Sequence, residues 1–192
     1  MATFPVRTRR WTRKEYDRLV ELGILHEDEP IELISGQLIV AEPKGSPQTT
    51  AVELTAEALR AAFGPGWVVH GQDPVALDDE SEPEPDVVVA PGTHRDHRDA
   101  HPAQPALPVE VAESTLAFDR RYKGSVYARA GVAGYWIVNL VGEVLEVHRR
   151  PTPDPSAEFG WHYLDVEVFR TGGRVSRLAR PDVTIAVADL LP

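Results

Sequence analysis

The chain carries no cysteine at any of its 192 positions. That excludes disulfides, a thiolate nucleophile and a Cys-type zinc site. It fits a reducing compartment, and a cytoplasmic protein is the expectation. No apolar run approaches the roughly 18 residues of a membrane span, so no membrane partner is expected. The start, MATFPVRTRRW, is basic but has no apolar h-region, so no signal peptide is expected. There is no Gly-rich phosphate loop, no dinucleotide fingerprint and no Ser-His-Asp arrangement, and no internal repeat. Positive charge is scarce. Twenty Lys and Arg face 30 Asp and Glu, for a net charge of -10. This argues against a broad electrostatic surface for nucleic acid. Any such contact has to come through local basic patches or metal ions.

What is present is enough apolar residue for a sizeable core, 42% of the chain. The length points to one domain over residues 1–192, with 1–11 as a flexible arm. Residues 12–22 read as a helix, because Thr12 and Glu15 form a capping box and Gly23 follows. IELISGQLIV alternates around Ser35-Gly36 and reads as a hairpin. A loop over Pro43–Pro47 leads to a helix over 48–63, closed by Gly64-Pro65-Gly66. Short strands are expected at Trp67–Val69 and Pro74–Leu77, then an acidic, solvated loop over 78–84. Buried-type strands follow at about 86–90 and 107–112, then a helix over 118–130 ending at Gly131. Tyr135–Leu140 and Val144–Arg149 form a second hairpin, and Pro151–Pro155 a loop. Tyr163–Phe169 and Val183–Val187 are the last strands, with Gly172-Gly173 turning between them. This order gives an α/β or α+β fold around a mixed sheet flanked by helices.

The stretch from Pro85 to Lys123 carries the chemistry. Two short apolar runs each hold one carboxylate, Asp86 and Glu110, and Lys123 follows on the next helix. A carboxylate in a buried strand is costly unless a cation or hydrogen-bond donors meet it. Neighbouring strands lie about 4.8 Å apart, so both could share one hard cation, Mg2+ or Mn2+. Lys123 lies four residues after Asp119, on the same helix face. Asp119 then either holds Lys123 or caps the helix. An equally open reading has Asp86 simply starting a strand and Glu110 salt-bridged to Arg120 or Lys123.

The runs PDVVVA, LPVEVAEST, DRRYK with Tyr127, GVAGYWIVN and IELISGQLIV together resemble the Uma family of restriction-endonuclease-like proteins, over roughly residues 10–190. That family belongs to the PD-(D/E)XK nuclease superfamily. The resemblance implies a restriction-endonuclease-like fold and Mg2+-dependent hydrolysis of DNA. It implies Asp86 and Glu110 as metal ligands and Lys123 as the lysine that positions or activates water. Glu32 matches an acidic position that can complete the metal site. The simplest superfamily pattern puts the lysine two places after the Glu, but Ala112 stands there, which implies migration to Lys123. A His often starts the family's first core helix, where this chain has SPQTT with Gln48, which cannot transfer protons. The resemblance also implies a homodimer. An idle nuclease fold kept as a binding or assembly module, and a hydrolase of small phosphoesters, are the alternative readings.

Other groups have plainer readings. His94, His97 and His101 with Asp96 and Asp99 could bind a transition metal if helical, but the segment reads as a solvated loop. His26, His70, His148 and His162 show no partners. Arg7, Arg9, Arg10, Arg13 and Lys14 form one basic patch, and Arg120, Arg121, Lys123 and Arg129 another. Either could meet phosphate, or be a solvated face. Trp136 reads as core.

Overall fold

The fold is seen in a computed structural model, described over residues 8–26, 29–41, 43–176 and 183–192. Arg7 and most of the expected arm lie outside the described residues. Helix α1 (Arg13–Glu21) starts at the Thr12 capping box, with both reciprocal bonds made. Strands β1 (Ile31–Ile34) and β2 (Gln37–Val40) form the expected hairpin. Ser35 and Gly36 both take positive φ, 47° and 76°, the pair a type I′ turn requires. A Cβ on Gly36 would lie 2.8 Å from the Cβ of Arg10, so only glycine fits there.

Helix α2 (Ser46–Phe63) buries Val52, Ala56, Leu59 and Phe63, one face at helical spacing. The main sheet runs β3 (Trp67–Gly71), β4 (Val87–Pro91), β5 (Leu107–Ala112), β6 (Gly134–Asn139), β7 (Val144–Pro153) and β8 (Trp161–Arg170), in that order. Every neighbour pair is antiparallel except β5 and β6. A parallel pair needs a crossover. Here it is one helical passage: α3 (Leu116–Phe118), a π-helical turn (Asp119–Lys123) and α4 (Gly124–Arg129). All six residues of β5 and of β6 are buried, as suits strands covered on both faces. One face packs on α2 and on the small pair β9 (Arg174–Ser176) and β10 (Thr184–Ala186). The other packs on α4 through Tyr127, Tyr135, Ile137 and Tyr163. Among the described residues no helix is long and apolar enough to cross a membrane.

Four expectations need correction. Pro74–Leu77 is not a strand, although Val75 and Ala76 are buried. Residues 78–84 are not a solvated loop. Ser81, Glu82 and Pro83 are buried, and Leu33 bridges to Glu82. Pro151–Pro153 belongs to β7. Strand β6 pairs with β7 only up to Arg149, so both prolines lie where one flank is open, the place a strand tolerates them. Gly172 and Gly173 turn β8 into β9, a strand the sequence reading missed.

The α4 side of the sheet holds a buried polar knot. Glu146 accepts two bonds from Arg120, at 2.9 and 2.6 Å, and one from Asn139, at 2.8 Å. Burial alone would raise its pKa, but the His148 ring 3.8 Å away, Arg120 and Asn139 outweigh that and hold it at about 2. A depressed carboxyl pKa stabilises the fold above the unfolded value near 4.5, and the gain is lost as pH falls through 2. Glu146→Gln is therefore expected to unfold at lower urea concentration at pH 7, by about 1–3 kcal/mol. The gap to the parent should close between pH 4.5 and 2. A gap that persists at pH 2 contradicts this account.

Candidate active site

The β4–β5 register pairs Val87 with Val109. One step further out, Asp86 stands opposite Glu110, and opposed residues of an antiparallel pair share a face. Both are buried, at 5% and 3% exposure. Asp86 Oδ2 accepts the Val111 N–H at 2.8 Å, and Oδ1 pairs with the ammonium of Lys44. Glu110 Oε1 accepts from the Tyr127 hydroxyl at 3.1 Å. Glu32 comes in from β1, and its Oε2 accepts the Glu84 N–H at 2.9 Å.

The crossover helix brings Lys123 to these groups. Its Nζ lies 3.0 Å from Glu32 Oε2 and 3.1 Å from Glu110 Oε1. A third contact reaches the backbone oxygen of Glu84 at 3.4 Å. An ammonium has three donors, so all are in use. Asp119 and Lys123 are the two buried residues of the π turn, so the turn aims both inward. Asp119 is buried on the same turn and accepts from the Thr115 hydroxyl at 2.6 Å, which caps no backbone N–H; its charge acts on Lys123 through space. Of the two sequence readings of Glu110, the salt bridge to Lys123 is present. Arg120 goes to Glu146 instead. The four residues singled out, Asp86, Glu110, Lys123 and Glu32, all meet in one place.

They line a cavity of about 480 Å³ together with Lys44, Glu84 and Asp119. Five carboxylates thus face two ammonium groups. Burial pushes the carboxyl of Glu110 well above its usual range, against the pull of Lys123. Burial also raises Asp119 to about 6 and, helped by the charge of Glu32, Glu84 to about 7. Burial would strip Lys123 of its proton, but Glu110, Glu32, Asp119 and Asp86 outweigh it and hold the ammonium charged. The donor set is oxygen only and too negative for its own lysines. That suits a hard divalent cation. Among the described residues no three acidic or imidazole groups are already drawn together around a metal position. In this structure Lys123 and Lys44 are the cations that sit against them.

Glu84 and Lys44 were not found by sequence reading. Glu84 is the residue before Pro85, which favours extended backbone, but nothing in the sequence marks its side chain. Lys44 lies in a loop distant in sequence. Gln48 lines the same cavity and donates to the Val111 carbonyl at 2.8 Å, so it clamps β5. The histidines of 94–101 lie on an exposed loop, as expected, with no metal grouping among the described residues. His70 and His148 do have partners. His70 Nδ1 lies 2.7 Å from Asp73 Oδ2, with the rings of His94 and His97 against it. Trp136 is core. Both basic patches are largely self-neutralised. Arg9 pairs with Glu15, Arg10 with Glu80 and Arg13 with Glu82; Arg121 pairs with Glu158 and Arg129 with Asp78.

A mixed sheet with opposed carboxylates on adjacent strands, and a lysine from the crossover helix, defines a nuclease-type fold of the restriction-endonuclease class. A solved structure shares it: a protein from Anabaena variabilis described as a "putative nuclease belonging to DUF820" matches with a TM-score of 0.62 and 18% identity, over 90% of this chain and 96% of that one. The family model for Uma2, described as "Putative restriction endonuclease", matches residues 13–188. The chain belongs to that family. No protein of curated function matches.

A carboxyl pKa raised by folding makes the charged form a cost. For Glu84 that cost is absent below the unfolded value near 4.5 and grows until pH reaches about 7. Glu84→Gln is expected to be more stable than the parent at pH 8 in chelator, by about 1–2 kcal/mol after solvent screening. Urea unfolding at pH 4 should show no difference. Equal stability at both pH values would show that burial and the charge of Glu32 do not raise the Glu84 carboxyl.

Proposed function

We propose that this protein is a nuclease that hydrolyses DNA phosphodiester bonds with Mg2+ or Mn2+. Asp86 and Glu110 hold the ion, with Glu32 completing the set. One observation carries the reading: a buried ammonium is bonded to two carboxylates inside a cavity with three more. The ion would supply positive charge to the phosphate oxygens and lower the pKa of a bound water. The chain's own groups do the rest. The Val111 N–H fixes Asp86 and the Tyr127 hydroxyl fixes Glu110. Tyr127 stays protonated, because burial and Glu110 raise its pKa far above the ordinary value. Lys123 is held protonated too, so it is a donor and a positive charge, not the base. Glu84 lines the same cavity, beside Glu32.

The same reading includes a homodimer. Leu164, Val166 and Val168 of β8 are exposed and alternate along one face of an edge strand, a surface suited to it. A second reading is an idle fold kept as a binding or assembly module. It is favoured by Gln48, whose amide is spent on the Val111 carbonyl where the family often has His.

Cleavage of plasmid and single-stranded DNA in Mg2+ or Mn2+ decides between them. Cleavage should vanish with chelator and fall about 100-fold or more in Asp86→Asn, Glu110→Gln and Lys123→Met. Circular dichroism should confirm that each variant is folded. Should all three cut as well as the parent, the site is elsewhere. Should the parent cut nothing and bind no Mn2+ by calorimetry, the idle reading holds.

A further inference from the structure

The cavity has two unlike ends. Carboxylates and Lys123 fill the inner one. The outer lip is apolar and includes Ile39, Val40 and Phe118. Val40 is 68% exposed, and an exposed valine stabilises nothing until something covers it. Phe118 is stacked on Tyr122, ring centroids 5.2 Å apart and planes 16° from parallel, so its orientation is fixed in advance.

The cations narrow what can cover that lip. A duplex is held by several Lys or Arg contacts to its phosphates. Among the described residues only Lys14, Arg60, Arg95, Arg170 and Arg174 have no carboxylate within ion-pair distance, and none of these lines the cavity. The cations that do line it are Lys44 and Lys123. Lys123 is enclosed, whereas the Lys44 side chain is 27% exposed. The cleft therefore offers an apolar lip, one accessible ammonium and a volume in the range of a small-ligand site.

We infer that the cleft takes one unpaired nucleotide, with its base against Ile39, Val40 and Phe118 and its phosphate drawn by Lys44. The inference rests on the nuclease reading of the inner end and names its substrate class: strand ends, gaps or single strands, not intact duplex. Stacking on an aromatic ring accepts any base, because every base has a π face. Lys44, paired with Asp86 in this structure, would be free for the phosphate where an ion is held by that carboxylate.

The test uses the full chain in Mg2+ with two probes that contain no diester: thymidine 5′-monophosphate and deoxyribose 5-phosphate. Calorimetry should show the nucleotide binding more tightly. Phe118→Ala and Val40→Ser should each weaken it about 10-fold, the worth of part of one stacked base, and leave the sugar phosphate unchanged. Lys44→Met should weaken both. Equal affinity for the two probes in the parent overturns the inference, and so do lip variants that change neither. Cleavage separates the two readings. Nucleotide binding on the lip without metal-dependent cutting leaves the inference standing and removes the nuclease. Cutting of intact duplex as fast as single strands, with a steep salt dependence of about six phosphates, keeps the nuclease and removes the inference.

Discussion

One ammonium group, that of Lys123, lies buried against the carboxylates of Glu32 and Glu110 and in the field of Asp86, Asp119 and Glu84. The rest of the molecule accommodates this arrangement. Buried charge is expensive and is tolerated only when paired and hydrogen-bonded. Its partners come from separate parts of the chain: Glu32 from the β1 hairpin, Glu84 from the segment before β4, Asp86 and Glu110 from the β4–β5 pair, and Asp119 from the crossover helix. The β4–β5 register, the Ser35-Gly36 turn and the π turn are the local features that bring those elements together. Packing alone does not call for five carboxylates in one cavity. In this structure Lys123 and Lys44 offset their repulsion.

The same shortage of positive charge shapes the outer surface. Arg10 and Arg13 hold the 78–84 segment, Arg129 ties Asp78 to α4, and Arg120 closes the Glu146 knot. These arginines work inside the structure as cross-braces. Among the described residues, these pairs leave few cations unpartnered on the surface.

Much of this was legible in the sequence, for identifiable reasons. Capping residues and turn residues act locally, so Thr12, Glu15 and Ser35-Gly36 announced α1 and the first hairpin. Unbroken Val and Leu runs announced β4 and β5, and a carboxylate in each stood out because it did not belong. Lys123 came from its place on the helix after Glu110 and from resemblance, Glu32 from resemblance alone, and the structure brings them to the same place. What stayed hidden depends on long-range contact. Lys44 meets Asp86 across more than forty positions. Glu84 is distinguished only by its burial and by the charge of Glu32. The prolines of β7 are permitted only because β6 ends at the level of Arg149. The acidic run 78–84 looked solvated because its arginine partners are far away in sequence.

The central proposal is that Asp86 and Glu110 hold a divalent cation in this cavity. A crystal soaked in Mn2+ tests this most directly. The account predicts one anomalous peak between Asp86 and Glu110, within reach of Glu32, with the Lys44 ammonium moved off Asp86. No peak at that position, with both lysines still on their carboxylates at saturating Mn2+, would contradict it.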